Sequence, residues 1–248
     1  MWNLEPVSIV EILGRAEQGM TKPFKCKDAN GQLYYVKGRN ADRRSLIAEW
    51  VCGHLAQAFG LPLADFAVVD VPNMLLEAAT ESDWAELGSG QAFGSKALPH
   101  VLEITWPQVA KVPQRLRQDV LVFDWWIRND DRNLTEYGGN PNLLWNTVDD
   151  SLVVIDHNLA FSENFNSAEF FATHVFRDDW NSIFDDCVMR AEYATRLQQA
   201  FAAFEQACHN CPPEWFWVGE GVPAKFDRDE IRNILLRFED LHFWEVAQ

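Results

Sequence analysis

The chain opens on short runs in which apolar and polar residues alternate. Val7 to Leu13, Phe24 to Lys27 and Leu33 to Lys37 read as strands, with the turn residues Asp28-Ala-Asn-Gly31 between the last two. The period then lengthens. Ile47, Trp50, Val51, Leu55, Ala58 and Phe59 recur at helical spacing after Ser45, a candidate cap, and Gly60 with Pro62 ends the run. Phe66 to Val71 returns to strand character, Asn73 to Trp84 is expected to be helical, and Gly90 to Leu98 to be a strand entering a connector. Beyond Pro113, the positions Leu116, Val120, Phe123 and Ile127 mark a long helix; others are predicted near 187–207, with Leu197, Phe201 and Phe204 on one face, and near 229–240. A sheet-rich first part and a helical second part predict an α+β chain in two lobes, 1–97 and 98–248.

Chemistry concentrates between Asp130 and His157. Two apolar runs, Leu143 to Trp145 and Leu152 to Ile155, flank a polar Asn146 to Ser151 turn and predict an antiparallel hairpin. If Trp145 faces Val153, Asn142 faces Asp156 at about 4.5–5.5 Å between Cα atoms, near enough for an amide oxygen and a carboxylate to share one hard cation. Asp131 lies upstream on a loop. A carboxylate to orient a hydroxyl, with an Asn/Asp pair to hold magnesium, is the equipment of phosphoryl transfer. Earlier still, the strand Tyr34-Tyr-Val-Lys37 ends in a lysine that would neutralise nucleotide phosphates. Glu49 on the following helix would hold that lysine by an ion pair, and a Gly14 to Gly19 turn would cover the phosphates with backbone N–H groups. This is the order of parts in a kinase.

Charge sharpens the picture. With 37 acidic and 21 basic side chains among 248 residues the formal charge is −16, which argues against nucleic acid as a direct partner. Residues 15–44 run the other way: eight cations against three anions give a local +5, suited to a compact anion such as a nucleoside triphosphate or, alternatively, to a lysine-decorated strand edge. No run approaches 18 apolar residues, and the start lacks a cationic region followed by an apolar one, so neither a membrane span nor a signal peptide is expected and the setting is read as cytoplasmic. Five irregularly spaced cysteines point to reduced thiols. Cys208-His-Asn-Cys211 has zinc or redox spacing, but no second ligand pair accompanies it and Cys208 continues an apolar stripe, so a core role is expected. His157 is expected to be structural, and Trp125-Trp126 to pack a helix.

Seven stretches then carry a resemblance to a known family. They are Gly19-Met-Thr-Lys-Pro-Phe24, Tyr35-Val-Lys-Gly38, Ala48 to Ala56 with Leu61-Pro62, Phe93-Gly-Ser-Lys96, Trp126 to Arg132, Asn140-Pro-Asn-Leu-Leu-Trp145 and Val154-Ile-Asp-His157. Through them the chain resembles the HipA-like kinases, whose fold is related to protein kinases and phosphatidylinositol kinases. The resemblance implies a two-lobed protein kinase-like fold with ATP between the lobes and Lys37 on its phosphates. It makes Asp131 the catalytic-loop aspartate, with Arg132 beside it in the catalytic set, and Asn142 and Asp156 the magnesium ligands. Gly14, Gly19 and Thr21 fall in the nucleotide-covering turn, where phosphorylation of Thr21 would repel the nucleotide. The implied activity is ATP- and magnesium-dependent transfer to a serine or threonine of a protein, itself included, in a toxin-like or regulatory setting with a small regulatory protein. The alternatives are a small-molecule kinase on the same fold and a pseudokinase that binds a protein partner. Two features depart from the kinase pattern. Eleven residues separate Asp131 from Asn142, with Thr135 to Gly139 reading as an inserted excursion, where the usual spacing is about five. Asp130 therefore competes with Asp131, and Asn133 with Asn142.

Overall fold

The computed structural model describes residues 5–16, 22–77 and 84–245. They pack into two compact units, each discontinuous in sequence. One draws on Met1–Trp50, Ala64–Leu98 and Asn210–Phe226, the other on Val51–Leu63, Pro99–His209 and Asp227–Gln248.

In the first unit, strands β1 (Val7–Arg15), β2 (Phe24–Asp28), β3 (Leu33–Lys37), β4 (Phe66–Val71) and β5 (Gly90–Lys96) close into a barrel in the order β1-β2-β3-β5-β4. The closing pair, β1 with β4, is parallel, with Val7 opposite Val69. Alternate residues point inward, and Ile9, Phe24, Cys26, Val36 and Val69 form a fully buried core. The turn between β2 and β3 is held by Asp28, whose Oδ1 accepts from the backbone N–H of Asn30 at 2.9 Å and of Gln32 at 2.8 Å.

The helix that follows, Arg43–Phe59, starts earlier than expected. Its cap is Asp42 and not Ser45: Asp42 Oδ1 accepts from the Ser45 N–H at 2.9 Å, and Asp42 Oδ2 accepts from the Ser45 hydroxyl at 3.0 Å. Gly60, with φ +94°, ends the helix and returns its N–H to Ala56 at 3.0 Å. Of the helix expected over Asn73 to Trp84, Asn73–Glu77 is helical and Trp84–Glu86 is a 3-10 turn; residues 78–83 lie outside the described ones.

The second unit holds strands β6 (Val101–Glu103), β7 (Asn133–Thr135), β8 (Gly138–Asn140), β9 (Leu143–Asn146) and β10 (Ser151–Val154). Three of them make a sheet in the order β10-β9-β6, and β7 pairs with β8 in a separate hairpin. The helix Gln114–Ile127 is buried continuously from Gln118 to Ile127. Its two tryptophans pack and also bond: Trp125 Nε1 donates to the Phe243 carbonyl at 3.0 Å and Trp126 Nε1 to the Leu235 carbonyl at 2.6 Å. The helix expected over 187–207 is two, Cys187–Phe201 and Phe204–His209, and the last long one spans Arg228–Leu236. No helix among the described residues is long and apolar enough to cross a membrane.

Candidate active site

In the first unit, β3 ends by delivering Lys37 to the interior, where it is 7% exposed and its Nζ lies 2.5 Å from Glu49 Oε1, itself 4% exposed. Twelve residues of separation in sequence thus become a buried ion pair between strand and helix. Two other cations of the basic segment are also matched by carboxylates: Arg15 pairs with Glu86, and Lys27 with Glu11 at 2.7 Å. Gly14 does not begin a turn. It lies within β1 at φ +119°, opposite Lys25, where the register with β2 shifts, because a glycine there lets the strand bulge and continue. Gly19 and Thr21 lie outside the described residues.

In the second unit, the Gln114–Ile127 helix stops at Arg128, in the left-handed region at φ +52°, and releases Asn129-Asp130-Asp131-Arg132. Asp131 Oδ2 accepts from two side-chain amides, Asn140 Nδ2 at 2.8 Å and Asn142 Nδ2 at 3.0 Å. An ionised carboxylate only accepts, so each asparagine turns its nitrogen toward Asp131, and the Oδ1 of Asn142 is left as the acceptor on the other side of its amide. Burial pushes the Asp131 carboxyl up, the two amides hold it back, and the charge of Asp156 raises it further; the net direction is upward. Burial also raises Asp130, with the charges of Asp131 and Glu169 adding to it. The asparagine amides converge on Asp131. Asn133 spends its Oδ1 on the Asn140 N–H, at 3.1 Å, and so supports the loop from behind.

The β9–β10 hairpin forms, with a register one residue from the expected one. Trp145 faces Leu152 and Leu143 faces Val154, so Asn142 opposes Ile155 and not Asp156. The Asn142 carbonyl accepts from the Ile155 N–H at 3.1 Å. The turn decides this: Asn146 Oδ1 accepts from the N–H groups of Val148 at 2.9 Å and Asp149 at 3.2 Å, which closes an even loop between Asn146 and Ser151. Asn142 and Asp156 also leave strand geometry, at φ +47° and +59°, a region that Asn and Asp enter at least cost among non-glycine residues. Among the described residues no three His, Cys, Asp or Glu side chains gather as metal ligands. The amide oxygen of Asn142 and the carboxylate of Asp156 are hard oxygen donors that suit magnesium, and a cation would offset the charge that Asp156 imposes on Asp131.

Arg132 is not placed to touch a substrate. It is 0% exposed and bonds through Nε to Asp124 Oδ2 at 2.6 Å, while its Nη1 donates to the carbonyls of Asn142 and, at 3.2 Å, Ile155. It therefore ties the two arms of the hairpin together at the Asn142–Ile155 end. Asp124, also 0% exposed, accepts from Asn129 Nδ2 at 2.9 Å and from His174 Nε2 at 3.0 Å. His174 Nδ1 accepts from the Phe176 N–H at 3.1 Å, which places its proton on Nε2, and burial lowers its pKa and keeps it neutral. Asp124 and His174 escaped notice in the sequence. Asp124 had a signal, a lone carboxylate within the apolar run Val120 to Ile127; His174 had none. His157 packs edge-on against Phe123 at 5.7 Å. Cys208 and Cys211 are buried, and burial pushes the Cys208 thiol up to about 11, which keeps it protonated at neutral pH.

A barrel unit with a buried Lys–Glu pair, and a second unit in which an aspartate loop leads into an Asn/Asp hairpin, define a kinase-type α+β fold. The sequence model of the HipA-like kinases matches residues 9–247, and the chain belongs to that family. It is accordingly a phosphotransferase of the kinase class, for which nucleotide use is implied. Among solved structures, the Helicobacter pylori proinflammatory kinase CtkA is similar over 94% of this chain and 92% of its own, at 10% identity and a TM-score of 0.51, and shares the fold. The Golgi casein kinase is similar over 97% of this chain and 74% of its own, at 11% identity and a TM-score of 0.48. No curated protein sequence matches the chain.

Proposed function

We propose that this chain is a magnesium- and ATP-dependent serine/threonine protein kinase that also phosphorylates itself. The observation that carries the reading is the pair of asparagine amides on one oxygen of Asp131, with Asp156 close enough to act on its charge. Residues 1–97 supply the nucleotide-handling lobe: Lys37, held by Glu49, neutralises ATP phosphates, and the segment with Gly14, Gly19 and Thr21 covers them. Residues 98–248 supply the catalytic lobe. Asn142 Oδ1 and the Asp156 carboxylate would hold magnesium, which when bound screens the phosphate charge. Asp131 orients the serine or threonine hydroxyl and takes its proton; the oxygen–phosphorus bond forms as the bond to the ADP leaving oxygen breaks. Burial favours this, because a carboxyl raised above its ordinary range is the stronger base. We place the kinase in the cytoplasm, in a toxin-like or regulatory setting under a small regulatory protein, and phosphorylation of Thr21 would shut it by repelling the nucleotide.

The test is intact-mass and phosphosite mapping after incubation of the full chain with magnesium-ATP, beside Asp156→Ala. Phosphoserine or phosphothreonine on the wild type alone is the expected result. ADP release that depends on a metabolite and yields no phosphoprotein would replace this reading with a small-molecule kinase. Failure to bind magnesium-ATP would leave a protein-binding pseudokinase.

A further inference from the structure

The excursion that lengthens the catalytic loop is an ordered hairpin. β7 and β8 pair with Asn133 opposite Asn140, Leu134 opposite Gly139 and Thr135 opposite Gly138. Its tip bonds within itself: the Thr135 hydroxyl donates to the Gly138 carbonyl at 3.1 Å and accepts from the Tyr137 N–H at 3.2 Å, while Tyr137 is 92% exposed. The return strand differs. A Cβ on Gly139 would lie 2.5 Å from the Asn133 carbonyl oxygen and 2.9 Å from Leu134 Cα, both backbone atoms that cannot swing aside. Glycine is what lets β8 close on β7 at that point. One residue on, Asn133 Oδ1 takes the Asn140 N–H at 3.1 Å, and the Asn140 side chain then reaches Asp131 Oδ2 at 2.8 Å.

We propose that Asn140 is a positioning residue for phosphoryl transfer: it is a second amide clamp on Asp131, delivered by the β7–β8 hairpin, that holds the carboxylate plane while Asn142 serves the metal. This rests on the reading of Asp131 as the catalytic carboxylate. Asn142 would carry two duties, its Nδ2 on Asp131 and its Oδ1 as the oxygen that would hold a cation. Asn140 carries one. Two donors on Oδ2 leave Oδ1 as the oxygen that faces the attacking hydroxyl, and a carboxylate held by a single donor can rotate away from it. The insertion is thus a working part of the catalytic loop, with a dispensable tip.

Two measurements test it on the full chain. In 15N spectra, the side-chain amide of Asn140, identified by its loss in Asn140→Ala, should shift on Asp131→Ala; an unmoved resonance overturns the contact whether or not the protein turns over. In steady-state ADP release from magnesium-ATP, Asn140→Ala should lower kcat by about 10- to 100-fold, the loss of one hydrogen bond to a charged group, with KM for ATP held within about twofold. Asn140→Asp keeps the shape of the side chain but sets a like charge on Asp131, so it should fall well below Asn140→Ala. An Asn140→Asp milder than Asn140→Ala overturns the proposal, and so does a loss of folded protein in Asn140→Ala, read by thermal melting, that accounts for its whole loss of kcat. Full turnover by Asp131→Ala would remove the underlying reading instead.

Discussion

Asp124→Ala is the substitution with the largest expected effect on this fold. It deletes the countercharge of Arg132 at a place where both side chains are 0% exposed and the Nε to Oδ2 distance is 2.6 Å. Breaking a buried pair on one side costs about 3–5 kcal/mol, because the remaining charge keeps its desolvation penalty and loses its attraction. For a chain of this size about 2–4 °C accompanies each kcal/mol, so Tm should fall by roughly 6–20 °C. Acid should not mimic the substitution. Burial alone would raise the Asp124 carboxyl, but the charge of Arg132 and the hydrogen bond from His174 outweigh it and hold it below the usual carboxylate range. A carboxylate so depressed keeps its stabilisation as pH falls through 4 and loses it only in stronger acid. The companion variant separates stability from function. Asp124→Leu with Arg132→Met replaces the pair by apolar groups of similar volume and should recover the part of the loss that comes from the uncompensated Arg132 charge, while the Asn129 and His174 donors stay unpaired. It should not recover magnesium-ATP turnover, because the guanidinium that ties the Asn142 and Ile155 carbonyls together is gone. Urea unfolding and ADP release on the same preparations decide it. Asp124→Ala within about 1 kcal/mol of wild type, or full activity in the double variant, would refute the reasoning.

Glu49→Gln removes the charge that holds Lys37 in place, so KM for ATP should rise at least about tenfold in steady-state ADP release, and Tm should fall as well because the Lys37 ammonium stays buried without its countercharge; an unchanged KM would detach Lys37 from the nucleotide. Burial lowers His54 to about 4, against an interaction with the Gln57 side chain that raises it. The unfolded chain protonates that residue below about 6.5, so its contribution is complete above that pH and declines by about 1.4 kcal/mol per pH unit, to a loss of about 3 kcal/mol near pH 4. Urea midpoints measured across this range should show the slope in the wild type and a flatter profile in His54→Gln. Gly139→Ala should lower kcat as Asn140→Ala does, whereas Tyr137→Ala at the exposed tip should leave both turnover and Tm unchanged, as read by ADP release and thermal melting.

Periodicity made the elements legible where it was strong, and left open what pairs with what. Strand β4 is found where the run Phe66 to Val71 placed it, but closure of the barrel depends on Val7 meeting Val69, a contact that no local pattern encodes. The helix cap was misassigned because Asp42 and Ser45 are both good caps three residues apart, and in the fold Ser45 serves as donor to Asp42. The hairpin slipped by one residue because only the hydrogen bonds of Asn146 reveal how many residues the turn consumes. Within the site, residue types were readable and their duties were not. Arg132 adjoins Asp131 in sequence, and burial against Asp124 turns it from a catalytic candidate into the staple of the hairpin. Asn140 was visible in the motif Asn140-Pro-Asn142. The proline between them restricts the backbone, but Asn142 leaves strand geometry at φ +47°, so the two amides converge through the fold and not through an extended repeat. A pair of donors so aligned needs an acceptor that can take both, and Asp131, upstream on the loop that the same chain segment closes, is the carboxylate that meets it.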